Sequence, residues 1–389
     1  MMNLPNQAYI VGMYEHPTRK ADGISLAQLH ADVAIGALED AGLTTRDVDG
    51  YFCASEAPGM GALSVPNYLG FNPRYVESTE TGGSSYLILV HHAALAVATG
   101  RCNVALITMG DTQLADGLPF TLGGVDTRGA PEQPFSGPYR TFPAGMYAMV
   151  ARRHMYEFGT TSEQLAWVKV AASHHAQYNP HALRREVVTV EDVLNSPLVA
   201  DPLHRLDCCV VTDGGGAVVI TRPEIAKTLK RPLVRVAGAS EYVKHNAAGK
   251  VDLTYSAGRF SGPRAFEDAG CKPSDITYAS LYDSFTITVI MQLEDVGLCQ
   301  KGEGGKFVDD GKLISGVGKV AFNTDGGGLC SNHPGNRGGM TKILEAVRQS
   351  RGEAHPKVQV KDPTWVLAHG TGGTLSGDHG GATVILKRE

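Results

Sequence analysis

One internal repeat constrains this 389-residue chain more than any other feature. Asp213-Gly-Gly-Gly-Ala-Val-Val-Ile220 matches Asp378-His-Gly-Gly-Ala-Thr-Val-Ile385 at six of eight positions. Each copy closes a stretch in which strand and helix patterns alternate, and such self-similarity points to gene duplication. Two halves follow, about 1–225 and 230–389, joined near Pro223–Pro232. The length agrees, since roughly 100–200 residues per domain gives two domains or one large duplicated unit.

The alternation reads strand, helix, strand in each half. Leu26–Ala41 is an amphipathic helix ended by Gly42. Tyr86–Thr99 is a long apolar helix closed by Gly100. Gly258–Ala269, Phe285–Val296 and Met340–Ser350 are helices of the second half, with strands at Tyr278–Tyr282, Trp365–Ala368 and Ala382–Leu386. This predicts an α/β fold with mostly parallel sheets. Residues 112–145, rich in Gly and Pro, read as a long functional loop. The 47 glycines cluster at 213–216, 325–339 and 370–381, where backbone turns tightly or approaches a ligand.

Charge and cysteine content exclude several classes. The net charge is -5 and no basic stripe appears, which argues against nucleic acid or an anionic membrane as partner. No apolar run of about 18 residues is present, and Met1–Asn6 lacks the pattern of a signal peptide. A cytoplasmic location is expected. The seven cysteines include no CxxC, so reduced thiols and no metal site are expected. His91-His92, inside the apolar helix, reads as satisfied core.

Several stretches carry a family resemblance. They are Arg152–Thr161 with Glu163-Gln164-Leu165, Asp207-Cys208-Cys209 before Thr212-Asp213-Gly214, Tyr282-Asp283-Ser284-Phe285-Thr286, and Asn323 with Gly326-Gly327 and His333-Pro334. Over essentially its whole length the chain resembles the thiolase superfamily, and within it the sterol-carrier-protein, or lipid-transfer-protein, type. The resemblance implies a duplicated, five-layered αβαβα fold and a homodimer. It implies coenzyme A as substrate carrier, with no permanently bound cofactor. Bacterial relatives often pair with a small zinc-ribbon/OB-fold protein, so such a partner is implied too.

Family thiolases place a nucleophilic cysteine at the N-terminus of the long buried helix, where the helix dipole and free N–H groups activate the thiol. Here that position falls at Gly83 and holds no cysteine. Ser84 is an alternative nucleophile; Ser84 and Ser85 also read as helix caps. The N–H groups of Gly83 and Ser85 are candidates to bind a thioester oxygen. His333, in a loop shaped by glycine and proline, is a candidate proton carrier. Tyr282 stands where the family has His or Asn. His369 lies in the stretch that carries the family's second cysteine, with Gly370 and Gly372 as candidate oxyanion donors. Cys330 is the cysteine nearest a catalytic loop.

Without the cysteine, two chemistries are accessible. One is retro-aldol cleavage of a β-hydroxyacyl-CoA, with Tyr282 and His333 as acid/base pair and His369 in support. Thiolase-like aldolases of steroid side-chain breakdown also lack the cysteine and use tyrosines on these loops. The other is acyl transfer through Ser84 or Cys330. A non-catalytic acyl-CoA-binding subunit is the third reading. Residue pattern slightly favours the first.

Overall fold

The computed structural model describes residues 7–118, 142–245, 247–335 and 337–389. The first half contributes β1 (Tyr9–Glu15), α1 (Leu26–Ala41), β2 (Gly50–Cys53), α2 (Ser64–Leu69), β3 (Tyr75–Ser78), α3 (Ser85–Ala98), β4 (Val104–Asp111), α4 (Pro143–Phe158), α5 (Ser162–Ala176) and β5 (Gly214–Thr221). The second contributes β6 (Val234–Lys244), α6 (Gly258–Ala269), β7 (Tyr278–Leu281), α7 (Thr286–Asp295), β8 (Ala321–Phe322), α8 (Gly339–Arg351), β9 (Trp365–Thr374) and β10 (Gly377–Arg388).

Sheet order shows how the halves relate. The strands run β8-β7-β9-β10-β6-β1-β5-β4-β2-β3. Read outward from the centre, one side is 1-5-4-2-3 and the other 6-10-9-7-8, the same order shifted by five. The two repeat copies occupy the equivalent strands β5 and β10. An antiparallel contact, Tyr9 with Arg235 and Ile10 with Val234, joins the sides. The expectation of mostly parallel sheets is corrected. Within this sheet, among the described residues, four strand pairs are parallel and five antiparallel. In each half the last strand runs antiparallel to both its neighbours, which a βαβ reading of the helix spacing does not anticipate.

Five layers result. Helix α3 touches strands of both sides, and so does α8, and the two helices touch each other. They form the central layer. Helix α1 covers β1, β4 and β5 from outside, and α6 covers β6 and β10. The central position explains why α3 is apolar almost all round. It also makes α8 unusual, because Lys342, Glu345 and Arg351 are buried there. Each is paired: Lys342 with Asp283 at 2.9 Å, Glu345 with Arg348, and Arg351 with Asp40 at 2.7 Å. Charges inside a protein survive only with such partners. Among the described residues, no helix is long and apolar enough to cross a membrane.

Candidate active site

The central layer directs α3 at a cavity between the halves. The turn before α3, residues 81–84, meets the β9–β10 hairpin. A Cβ on Gly372 would lie 1.5 Å from the Thr81 carbonyl oxygen, so only glycine fits there. The glycine-rich segment 370–381, which lies outside the strands read from sequence at Trp365–Ala368 and Ala382–Leu386, is largely strand: Gly370 pairs with Ala382, Thr371 with Gly381 and Gly372 with Gly380.

The loop after β8 supplies the other wall. Asn323 clamps it to β7, accepting from Leu281 N–H and donating to its carbonyl, both at 2.8 Å. A π-helical turn follows at Gly327–Ser331. The Asp283 carboxylate accepts from Gly328 N–H at 2.8 Å, Leu329 N–H at 3.1 Å and Lys342 Nζ at 2.9 Å. Asp283 thus anchors the loop. His333 N–H donates to Thr212 Oγ1 at 2.9 Å, which fixes its backbone. Its ring is buried, yet among the described residues neither ring nitrogen has a hydrogen-bond partner.

Tyr282 faces it, with ring centroids 5.4 Å apart and planes at 77°. Around the pair is a cavity of about 130 Å³, lined also by Gly83, Tyr147, Cys209, Gly372 and Gly373. A larger, more open cleft of about 440 Å³ lies near Tyr14, Arg19, Tyr178 and Arg348. None of the residues singled out from sequence lines it, and its arginines are ion-paired with Glu15 and Glu345.

Gly83 decides what the cavity can do. A Cβ there would stand 2.4 Å from Tyr282 Cε2 and 2.5 Å from the Thr371 carbonyl oxygen. The Tyr282 ring therefore fills the space that a side chain at the nucleophile position would need. From the hairpin, the position facing this turn is Gly370, whose Cβ would lie 3.3 Å from the Gly83 carbonyl oxygen. Neither position carries a side chain.

Electrostatics separate the pair. Burial pushes the Tyr282 phenol well above its ordinary pKa, helped by Tyr147 and Cys209 and opposed by Arg337 and the Gly338 amide. Burial also lowers His333, to about 4, with Asp283 raising it and Lys342 lowering it. At neutral pH the phenol keeps its proton and the imidazole is uncharged. One group can donate and the other can accept.

Other candidates are placed elsewhere. Ser84 Oγ donates to the Thr81 carbonyl at 2.9 Å, and Ser85 Oγ accepts from Thr81 N–H at 2.9 Å; neither lines the cavity. Among the described residues Ser84 Oγ thus bonds Thr81 and no base, and both serines brace the turn. His369 is also outside. Its Nδ1 bonds Thr383 Oγ1 at 2.8 Å, and its ring packs near Gly258 at the start of α6. Strand alternation turns it away from the face that Gly370 and Gly372 present to α3. Cys330 is buried off the cavity, and burial raises its thiol. Tyr147 and Cys209 line the cavity without having been singled out. Burial raises the Tyr147 phenol to about 12 and pushes the Cys209 thiol up as well, so Cys209 is a poor nucleophile. Of the loop read at 112–145, residues 119–141 lie outside the described residues.

Comparison with known proteins fits this geometry. Residues 240–388 match the family described as thiolase C-terminal domain-like. The chain is 35% identical to a steroid side-chain-cleaving aldolase of Thermomonospora curvata, over 97% of this chain and 98% of that protein. It is 31% identical to an acetyl-CoA acetyltransferase of Methanothermobacter thermautotrophicus, over 94% and 96%. The chain belongs to the thiolase superfamily. It superposes on the solved Ltp2-ChsH2(DUF35) aldolase with a TM-score of 0.88 at 33% identity, covering 99% of this chain and 98% of that one. It is thus a thiolase-superfamily enzyme of acyl-CoA carbon–carbon bond chemistry.

Proposed function

We propose that this enzyme cleaves a β-hydroxyacyl-CoA by a retro-aldol reaction. One observation carries the reading: the Tyr282 ring occupies the room a nucleophile at position 83 would need, opposite an unpartnered His333. An acyl-enzyme needs a nucleophile; a retro-aldol step needs only a base, an acid and oxyanion donors. His333 takes the proton of the β-hydroxyl. The bond between Cα and Cβ breaks, and Cβ leaves as an aldehyde or ketone. The electron pair passes to the thioester as an enolate. The Tyr282 hydroxyl and backbone N–H groups at Gly83 and Gly372 stabilise its oxygen. A proton returned to Cα gives the shortened acyl-CoA.

A steroid side-chain thioester is the substrate class to try first, because the aldolase relative is named for that cleavage. We also propose a DUF35-type partner, as in the solved aldolase, and a homodimer, with 1–225 and 230–389 as duplicated halves. The repeated strand order supports the last point.

The test uses the purified protein, alone and with a DUF35 partner. It is incubated with β-hydroxyacyl-CoA and β-ketoacyl-CoA thioesters, with and without free coenzyme A. Products and intact protein are followed by mass spectrometry. Cleavage of the hydroxyacyl-CoA without added coenzyme A and without a protein adduct is expected. Cleavage only of the ketoacyl-CoA, dependent on coenzyme A and leaving an acyl adduct, would make the enzyme an acyltransferase.

A further inference from the structure

Helix α3 carries its adjacent histidines on a flank far from full burial. The side chains of His91 and His92 are 16% and 30% exposed, which corrects their reading as core. Glu241 of β6 spans both rings. One of its oxygens lies 2.6 Å from His91 Nδ1 and the other 3.4 Å from His92 Nε2. Glu77 of β3 takes the opposite nitrogen, His92 Nδ1. Among the described residues, His91, His92 and Glu241 form the one group of three or more His, Cys, Asp or Glu whose ligand atoms lie within 4.8 Å of one another.

We propose that His91, His92 and Glu241 bind one divalent transition-metal ion, zinc being the best match, with Glu77 orienting His92 from behind. Zinc takes imidazole nitrogen and carboxylate oxygen at about 2.0–2.2 Å in a tetrahedral shell, so its ligand atoms stand roughly 3.5 Å apart. Small side-chain rotations reach that spacing from the distances present. Two imidazoles disfavour magnesium and calcium, which prefer all-oxygen shells. A carboxylate on the far nitrogen of a ligating histidine is the usual outer support of such a site, because it fixes the tautomer and ring orientation. The partial exposure leaves room for water as fourth ligand. No residue of this cluster lines the catalytic cavity. The ion would join α3 to β6, and through Glu77 to β3, so its role is to brace the central helix rather than to act on substrate.

The test begins with full-length protein stripped by a chelator. Zinc or cobalt is added, the protein is desalted, and bound metal is counted by mass spectrometry. One ion per chain is expected, with a Tm that rises with zinc concentration. Bound cobalt should show no sulfur charge-transfer band, which separates this site from the seven cysteines. The variant His92→Asn/Glu241→Gln should lose the ion while keeping its circular dichroism spectrum and its lyase rate; His91→Gln is the second variant if the first misfolds. Far less than one ion per chain would overturn the proposal. So would variants that bind as the parent does, and the cluster would then be an ion-paired network only.

Discussion

His333 and His369 invite comparison, since both are buried in the second half and burial lowers both pKa values, to about 4 and about 3. Their surroundings differ. The His333 loop is fixed through its backbone, by Thr212 and by the Asp283 anchor, and among the described residues its ring is left without a partner. The His369 strand is fixed by nine-residue pairing with β10, and the ring itself is used, on Thr383. Burial alone therefore does not set the two apart. What does is a rigid main chain combined with a ring that faces a cavity and, among the described residues, has nothing to bond, which is why the proposed reaction assigns the proton to His333.

The largest expected effects test that distinction at the pair itself. Tyr282→Phe and His333→Ala should each lower kcat by about 10²–10⁴, the usual yield of a positioned acid or base. Circular dichroism should stay unchanged, because neither polar group holds the fold. Rates within a few-fold of the parent for either variant would remove that residue from the chemistry.

Gly83→Cys comes next. The new side chain meets the Tyr282 ring and the Thr371 carbonyl, so the variant should lose activity and about 1–3 kcal/mol of stability. Adding Tyr282→Asn relieves one of the two clashes. A thermal-melt double-mutant cycle should then show coupling of about 0.5–3 kcal/mol. Purely additive losses would mean that Tyr282 does not occupy that space in solution.

The pH profile sharpens the same comparison. His333 must be neutral to accept a proton, and burial lowers its pKa, so the active form persists well below the ordinary histidine range. The value of kcat/KM should hold from alkaline pH down through 6.5 and fall only as pH approaches about 4. Asp283 and Lys342 face the ring from the neighbouring elements and set the remaining balance. A break at 6 to 7 would report instead on Asp111 or Glu56. Burial lifts those carboxyls to about 6 and about 7, and Arg337 beside them opposes the shift.

Much of the fold was legible because it rests on local pattern. Helices α1 and α6 fall at the residues read from spacing and terminal glycines, and the repeat names the equivalent strands β5 and β10. The misreadings have physical causes. Glycines at 370–381 serve close packing against Thr81 and Asp378, and they mask the alternation that would have shown a strand. The central position of α8 was not readable either, because the partners of its buried Lys342 and Arg351 lie far away in sequence, at Asp283 and Asp40. Tyr147 and Cys209 reach the cavity from distant elements; Tyr147 sits in no quoted motif, and the motif that holds Cys209 marks the family without pointing to the cavity. Tyr282 and His333 were legible through their motifs, but their confrontation over Gly83 belongs to the tertiary structure.

The smallest effect on activity is expected from His369, and it is the sharpest control. His369→Ala removes the acceptor or donor that Thr383 Oγ1 uses, and Thr383 also bonds Ser261 at 2.9 Å. The loss should appear as about 1–3 kcal/mol of stability, as for a buried polar group left unpaired. The kcat should change far less than for His333→Ala, since the ring faces α6 and not the cavity. His369→Asn, which keeps a polar atom near Thr383, should recover part of the stability and leave kcat/KM where the alanine variant put it. A shift of one residue moves every side chain of a strand to the opposite face. A kcat loss as large as that of His333→Ala would therefore mean that β9 presents residue 369, rather than Gly370, to the α3 turn during turnover.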